Sequence, residues 1–362
     1  MTAGDWADRA LAAVLDRVTV TEAEVGARFP LYAEPADGRW TTTGRGSWTG
    51  GFWAGLLWLR ARHTRKEAHR LAAAACTARL APWVDADTAT RGLIFWYGTA
   101  ASFDTPETAV LRAKASRACL ASYDARTGIV PWGSALGGPR LLARADAVPG
   151  LVPLLAGAGP EAATVAAAHL HHHLDLCLGP EGARHHGRPR PAWRFDAATG
   201  WQPCDDPAPG WSRGEAWLLL AVADALLRPE VACHRPERLA FAAGQLLELA
   251  QTGRLVPPNE AARPHGPVDT SAAAITAVAM LKLARVRAPQ AQAYTSHAVA
   301  ILSRLVEDHL TGPGGGRPAG MLSDGCYDAA KGLAVRHEVI WGDFFLALGL
   351  AALGDLLDII RV

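Results

Sequence analysis

Residues 343–357 read DFFLALGLAALGDLL and residues 216–227 read AWLLLAVADALL, two helical stretches that are apolar on nearly every side. A helix of that kind is surrounded by protein. Residues 65–81, RKEAHRLAAAACTARLA, instead combine an apolar stripe with a charged face and suit a helix that leaves one side in water. Outward from these stretches the two kinds alternate, a striped helix first and an all-apolar one second. The periodicity predicts the pairs 4–18 with 50–63, 67–83 with 91–102, 106–122 with 147–157, 161–177 with 211–228, 234–251 with 270–286, and 289–307 with 339–357. Two concentric rings satisfy both kinds, with the apolar helices inside. The prediction is an all-α chain folded as an (α/α)6 barrel, a six-hairpin toroid forming one domain over residues 1–362.

Strand-like alternation is scarce. Long connections near 19–49, 123–146, 178–210 and 308–338 each precede an inner helix, and loops of that length in a compact domain are usually functional or disordered. Theirs hold Trp, His, Arg and Asp among Gly and Pro, which points to function. Pro257, Pro258, Pro264 and Pro267 mark one more loop, before the fifth inner helix. Because every such segment enters an inner helix, all of them gather at one end of the barrel.

Composition narrows what that end can do. The 36 basic residues balance 35 acidic ones for a net charge of +1, so nothing global draws nucleic acid or an anionic membrane. No run of some 18 uncharged apolar residues suggests a membrane span. The start, MTAGDWADRALAAVLDRV, carries acids where a signal peptide needs a basic patch, so a cytoplasmic protein is expected. The six cysteines are scattered without a CxxC pair, which suits a reducing compartment. A monomer or homodimer acting on a small carbohydrate or glycoside is the expectation for partners.

Thirteen tryptophans are many, and Trp48, Trp53, Trp132, Trp211, Trp217 and Trp341 lie in or beside the segments that converge. An indole covers the apolar face of a sugar ring while its N–H bonds a hydroxyl, although each of these is equally readable as core. Asp146 precedes an apolar inner helix and reads either as a proton-transfer group, its carboxyl raised by partial burial, or as an N-cap. Asp269, followed by Thr270 and Ser271, is more cap-like. Arg213 and Trp217 are four apart and share a helix face, offering a cation and a ring to one ligand. A structural pairing of Arg213 with Asp205 or Asp206 stands beside that reading. The HLHHH segment, with His169, His171, His172 and His173, has the i, i+4 spacing of a helical metal pair but lacks the Glu of HExxH. On an outer helix it predicts a solvated histidine face, and neither a catalytic metal nor a nucleotide cofactor is expected.

These motifs, in this order, resemble the unsaturated glucuronyl hydrolases and their unsaturated rhamnogalacturonyl relatives nearly end to end. The stretches that carry the resemblance are FPLY (29–32), DGRW (37–40), GSWTGGFWAGLLWL (46–59), DAVPGLVPLL (146–155), DDPAPGWSRGEAW (205–217), VDTSAAAITAVAMLKL (268–283) and EVIWGDFFLALGL (338–350). The resemblance implies an (α/α)6 barrel and action on Δ4,5-unsaturated uronic sugars, in which an aspartate protonates C4 of the vinyl ether and assists water at C5. It implies that Asp146 is that aspartate and that Arg213 and Trp217 contact substrate. It further implies that His186, after GPEGA (179–183), is an active-site histidine, although GRPRP (187–191) looks inserted after it. One stretch departs from the pattern. The family's other aspartate lies in H-D-x-G-F, and residues 89–93 here are Ala89, Thr90, Arg91, Gly92 and Leu93. The Thr90 hydroxyl supplies no negative charge and takes up no proton at neutral pH. Asp85 and Asp87 read as stand-ins or as surface residues, and Arg91 as an added positive charge in the cleft. The expected function is therefore a glycoside hydrolase of unsaturated uronides. The alternatives are a diverged hydratase, dehydratase or isomerase of an unusual sugar in secondary metabolism, and a carbohydrate-binding protein without turnover.

Overall fold

The computed structural model describes residues 3–102, 105–180, 187–286, 288–314 and 316–362. Six outer helices are α1 (Ala3–Val25), α3 (Glu67–Ala78), α5 (Pro106–Ser122), α7 (Pro160–Leu178), α10 (Pro236–Thr252) and α12 (Ala291–Asp308). The inner ring runs α2 (Gly50–Thr64), a π turn over Gly92–Trp96 continued by α4 (Tyr97–Thr99), α6 (Leu151–Ala156), α8 (Ser212–Leu226), α11 (Thr270–Val286) and α13 (Ile340–Leu353). A four-residue helix α9 (Pro229–Ala232) lies between α8 and α10. Each inner element packs on the next, α2 on the π turn, then α6, α8, α11, α13 and back to α2, so the ring closes. The barrel is the (α/α)6 arrangement that the alternation of helix types predicts.

Local chemistry sets several boundaries. α5 starts where Thr105 accepts from Thr108 N–H and Pro106 takes the first helical position, which needs no amide hydrogen. The second inner helix departs from the expected α-helix over 91–102 because backbones meet there. A Cβ on Gly51 would lie 2.3 Å from the Ile94 carbonyl oxygen, and one on Gly92 2.2 Å from the Leu151 nitrogen. Gly51→Ala should therefore force α2 off the π turn. Overpacking of this kind costs roughly 1–3 kcal/mol, and thermal unfolding of the variant should begin several degrees lower; an unchanged melting temperature would mean the ring has slack at this joint.

The long connections are not irregular throughout, which corrects the all-loop expectation. β1 (Phe29–Ala33), β2 (Trp40–Thr43), β6 (Gly325–Asp328) and β7 (Leu333–Val339) form an antiparallel sheet in the order β2-β1-β7-β6. A second sheet joins β3 (Leu142–Arg144), β4 (Ala192–Asp196) and β5 (Gly200–Pro203). Short strands such as WTTT and LAVRHEV carry β-branched residues, but over four to seven residues that signal is weak beside helices of 15 or more. No helix among the described residues is long and apolar enough to cross a membrane. All six cysteines are free, four of them buried.

The outer helix α7 corrects a second expectation. His169 and His173 are fully buried and His171 nearly so. They share the inward face with Ala166, Leu170 and Leu174 instead of facing water. Imidazole counts as polar in a periodicity reading, yet it is a flat, largely apolar ring that packs with both nitrogens bonded, as in His169, or with one, as in His171 and His173. His169 Nδ1 accepts from the Val130 amide at 3.0 Å and its Nε2–H donates to the Ala147 carbonyl at 3.3 Å. His173 donates from Nδ1 to the His169 carbonyl at 2.7 Å. Among the described residues no group of three or more His, Cys, Asp or Glu side chains could hold a metal ion.

Burial holds His173 down to about 4, from an ordinary value of 6.5. The unfolded chain then takes up a proton near pH 6.5 that the folded chain refuses until about pH 4. The neutral ring's stabilisation is complete above the unfolded value and drains away as pH falls. One such group is worth roughly 2–3 kcal/mol between neutrality and pH ~4.5. His173→Gln should make the decline in stability from pH 7 to that point shallower, read from urea midpoints at each pH; parallel declines in the two proteins would exclude the effect.

Candidate active site

A cleft of about 600 Å³ opens at the end of the barrel where the connections enter the inner helices. Five separate connections supply it: Ser47 and Trp48 before α2, Thr90 before the π turn, Trp132, Arg144 and Asp146 before α6, Asp205 to Trp211 before α8, and Asn259, Glu260 and Arg263 before α11. The β6–β7 hairpin adds Tyr327, Asp328 and Lys331 from the sixth. Of the tryptophans singled out in the sequence, Trp48, Trp132 and Trp211 line the walls and Trp217, fully buried, forms part of the floor. Trp341 stands behind the wall, 4.9 Å from Trp48 between ring centroids and bonded through its indole N–H to Ser271 Oγ. Trp53 is a correction: it belongs to the core and does not line the cleft, on a helix buried on every side from Gly50 to Ala61.

Asp146 lies in a single 3-10 turn, Ala145–Ala147, between β3 and α6. It caps no helix: α6 starts after Gly150, with no side-chain cap. Arg144, two residues earlier, donates from Nε to Oδ1 at 3.0 Å and from Nη2 to Oδ2 at 3.3 Å. The Arg144 guanidinium also sits 5.1 Å from the Trp132 ring centre. The turn is held from below by His169, whose Nε2–H bonds Ala147. Asp146 is therefore presented to the cleft with one lone pair of each oxygen engaged by the Arg144 fork, leaving the others for a proton or a ligand.

Arg213 is committed. Its Nη1 donates to Asp269 Oδ2 at 2.7 Å and to the Cys326 carbonyl, and its Nη2 to the Tyr327 carbonyl at 2.8 Å. Asp269 in turn accepts from Ser271 N–H and Ser271 Oγ, capping α11 as its sequence context suggests. The ion partner of Arg213 is thus Asp269, not Asp205 or Asp206. Its face lies against Trp211, 4.8 Å from the ring centre. The residue nevertheless reaches the cleft, and it fixes the β6–β7 hairpin that carries Tyr327, whose hydroxyl accepts from the Trp48 indole at 3.2 Å.

Thr90 lines the cleft but is 1% exposed, with its hydroxyl 2.9 Å from that of Thr88. Arg91 is a further correction. It points away, donating to the carbonyls of Val84 and Thr88 and to Ser122 Oγ, so it adds no charge to the cleft. Asp87 does not replace the absent carboxylate, being held at the surface by Arg140 at 3.0 Å, and Asp85 is exposed. His186 lies outside the described residues.

Sequence reading missed Arg144, Tyr327 and Lys331. Lys331 bridges Asp206 at 3.0 Å and Asp328 at 2.7 Å across the rim, and Arg263 faces Glu260 at 3.4 Å. The available signal was the Arg-X-Asp pattern RAD at 144–146, where alternate residues of an extended segment share a face. Tyr327 and Lys331 gave none, because the hairpin that turns them inward was read as loop.

No protein-family model matches the sequence, and no curated protein does. Solved structures do match. The unsaturated glucuronyl hydrolase from Bacillus sp. GL1, described as responsible for the degradation of glycosaminoglycan, superposes with a TM-score of 0.82 at 23% identity over 96% of each chain. That from Streptococcus agalactiae gives 0.82 at 16% identity, over 99% of this chain and 94% of that one. A variant of the latter complexed with dGlcA-GalNAc6S gives 0.71 at 16%, over 97% and 92%. The chain thus has the (α/α)6-barrel fold of the unsaturated glucuronyl hydrolases over nearly its whole length.

Proposed function

We propose that this chain is a glycoside hydrolase acting on a Δ4,5-unsaturated uronyl sugar by hydration of the vinyl ether, with Asp146 as general acid and base. The observation that carries the reading is the position of Asp146, a carboxyl on a rigid turn inside an aromatic-walled cleft, on the fold of enzymes of that activity. Protonated Asp146 gives its proton to C4. As water adds at C5, the resulting carboxylate takes a proton from that water, and the hemiketal opens to release the aglycone. Trp48, Trp132 and Trp211 would cover the ring faces, with Trp217 at the floor, while Arg213 holds the Tyr327 wall in place. His186 is assigned as an assisting group by resemblance only, and Thr90 supplies a hydroxyl to the same cleft.

A second reading has its own observation. Thr90 offers a hydroxyl where the resembling enzymes have an aspartate, and among the described residues each cation at the cleft already faces a carboxylate: Arg144 with Asp146, Arg213 with Asp269, Arg263 with Glu260, Lys331 with Asp206 and Asp328. A uronate entering this cleft must share its cation with a carboxylate already in place. That favours a diverged enzyme on the same scaffold, a hydratase, dehydratase or isomerase of a less acidic sugar. A carbohydrate-binding protein without turnover would keep the rings and have no use for Asp146. Incubation with a panel of unsaturated uronyl disaccharides, followed by loss of the vinyl absorbance, separates these. Turnover supports the hydrolase, whereas binding without turnover moves the assignment to the second reading or to a binding protein.

A further inference from the structure

Behind the cleft lies a second cavity, of about 190 Å³, between the start of α8, α10, α11 and the connection 253–266. The two spaces share a wall one residue thick. Along the connection, Pro258, Ala261 and Pro264 face the cavity, while Asn259, Glu260 and Arg263 face the cleft. The first turns of α8 alternate in the same way, with Ser212, Glu215 and Leu219 toward the cavity and Trp211, Arg213 and Trp217 toward the cleft.

The cavity's chemistry is that of an apolar pocket with one deep charge. Leu219, Leu246, Leu249, Ala250 and Ile301 form much of its lining. Glu215 lies among them with its side chain 15% exposed, whereas Arg188 is 44% exposed and Arg254 is also exposed, both at the rim. Arg188 reaches the two Glu215 oxygens only at 3.4 and 3.5 Å. Burial pushes the Glu215 carboxyl up to about 7, with Arg188 offsetting part of that rise. A carboxylate so poorly compensated gains from a cation that enters the apolar space and makes a close, charge-assisted hydrogen bond. An anion would meet Glu215 at the bottom. An apolar cavity of ~150 Å³ holds a benzene molecule, so the space fits one aromatic ring with a short arm.

We propose that this cavity is a binding site for a small organic cation with an apolar body, of the size of an arylalkylamine, with its ammonium on Glu215 and its ring among Leu219, Leu246 and Ala250. The site is independent of the reaction assigned to the cleft, and its test needs no turnover. Benzylamine, benzyl alcohol and benzoate are titrated into the full chain by calorimetry at pH 8. Benzylamine should bind with a Kd in the millimolar range, about what eight heavy atoms support, and at least tenfold more tightly than the alcohol. Between pH 8 and pH 6 its affinity should fall about tenfold, because the ionised fraction of Glu215 falls by that factor while the amine stays protonated. The other charged side chains that line the cavity among the described residues, Arg188 and Arg254, are guanidinium groups. Glu215→Gln should erase the preference for amine over alcohol, and Ala250→Trp, which fills the space, should remove binding of both; melting curves identify a variant that fails to fold, and the native pH dependence stands without either. Benzoate binding more tightly than benzylamine, no benzylamine binding at all, affinity that does not weaken at pH 6, or binding untouched by both variants would overturn the proposal.

Discussion

Asp146→Asn should reduce turnover of an unsaturated uronyl disaccharide by roughly 10²- to 10⁴-fold, the usual share of a general acid or base. The amide keeps the shape of the carboxyl and one oxygen for Arg144, but it carries no proton to C4 and accepts none from water. The kinetic signature is a loss in kcat with KM nearly unchanged, since the rings that hold the sugar are untouched. Stability should fall by no more than roughly 1–2 kcal/mol, because the pair is partly solvent-exposed and Arg144 keeps a hydrogen bond. Full activity in this variant would remove Asp146 from the mechanism and leave its grip on Arg144 as its whole role.

Thr90→Asp should move activity the other way. The position is buried at the cleft wall beside the Thr88 hydroxyl, so an introduced carboxyl would have a hydrogen-bond donor at hand and, through desolvation, a raised pKa. Desolvation favours a group that holds a proton near neutrality, against the pull of that donor, which stabilises the ionised form. If the loss of an aspartate here limits action on unsaturated uronides, the variant should gain about tenfold in kcat/KM, which corresponds to roughly 1.4 kcal/mol of barrier. A native protein that turns such substrates over fast, and a variant that is slower, would show that another group already fills the role.

How far the sequence carries this reading differs from one element to the next. α5 and α11 begin and end where the periodicity puts them, because a capping Thr105 with Pro106 and a capping Asp269 mark their starts. The π turn at Gly92–Trp96 was illegible, since its cause is contact between backbones at Gly51, Gly92 and Leu151, far apart in sequence. The converging tryptophans were legible only in part. Trp48 and Trp53 stand five apart in one motif, yet one lines the cleft and the other the core, and only the orientation of α2 separates them. Arg213 shows the same limit, for its polar partners arrive from α11 and from the β6–β7 hairpin, which local reading does not bring near it.

The closed inner ring has a consequence for how such a chain can change. Each of its six joints is sealed by packing between neighbours, while four of the connections that enter the cleft are tied in pairs by the two small sheets, β1 and β2 with β6 and β7, and β3 with β4 and β5. A change in one of these connections reaches the partner that shares its sheet but leaves the packing of the ring in place. No fragment of the chain carries a working site, and much of the rim changes in coupled pairs of connections. Architecture and chemistry are thereby inherited separately, and a barrel whose identity to its structural relatives has sunk to 16–23% keeps its shape while its rim is free to take up a different ligand.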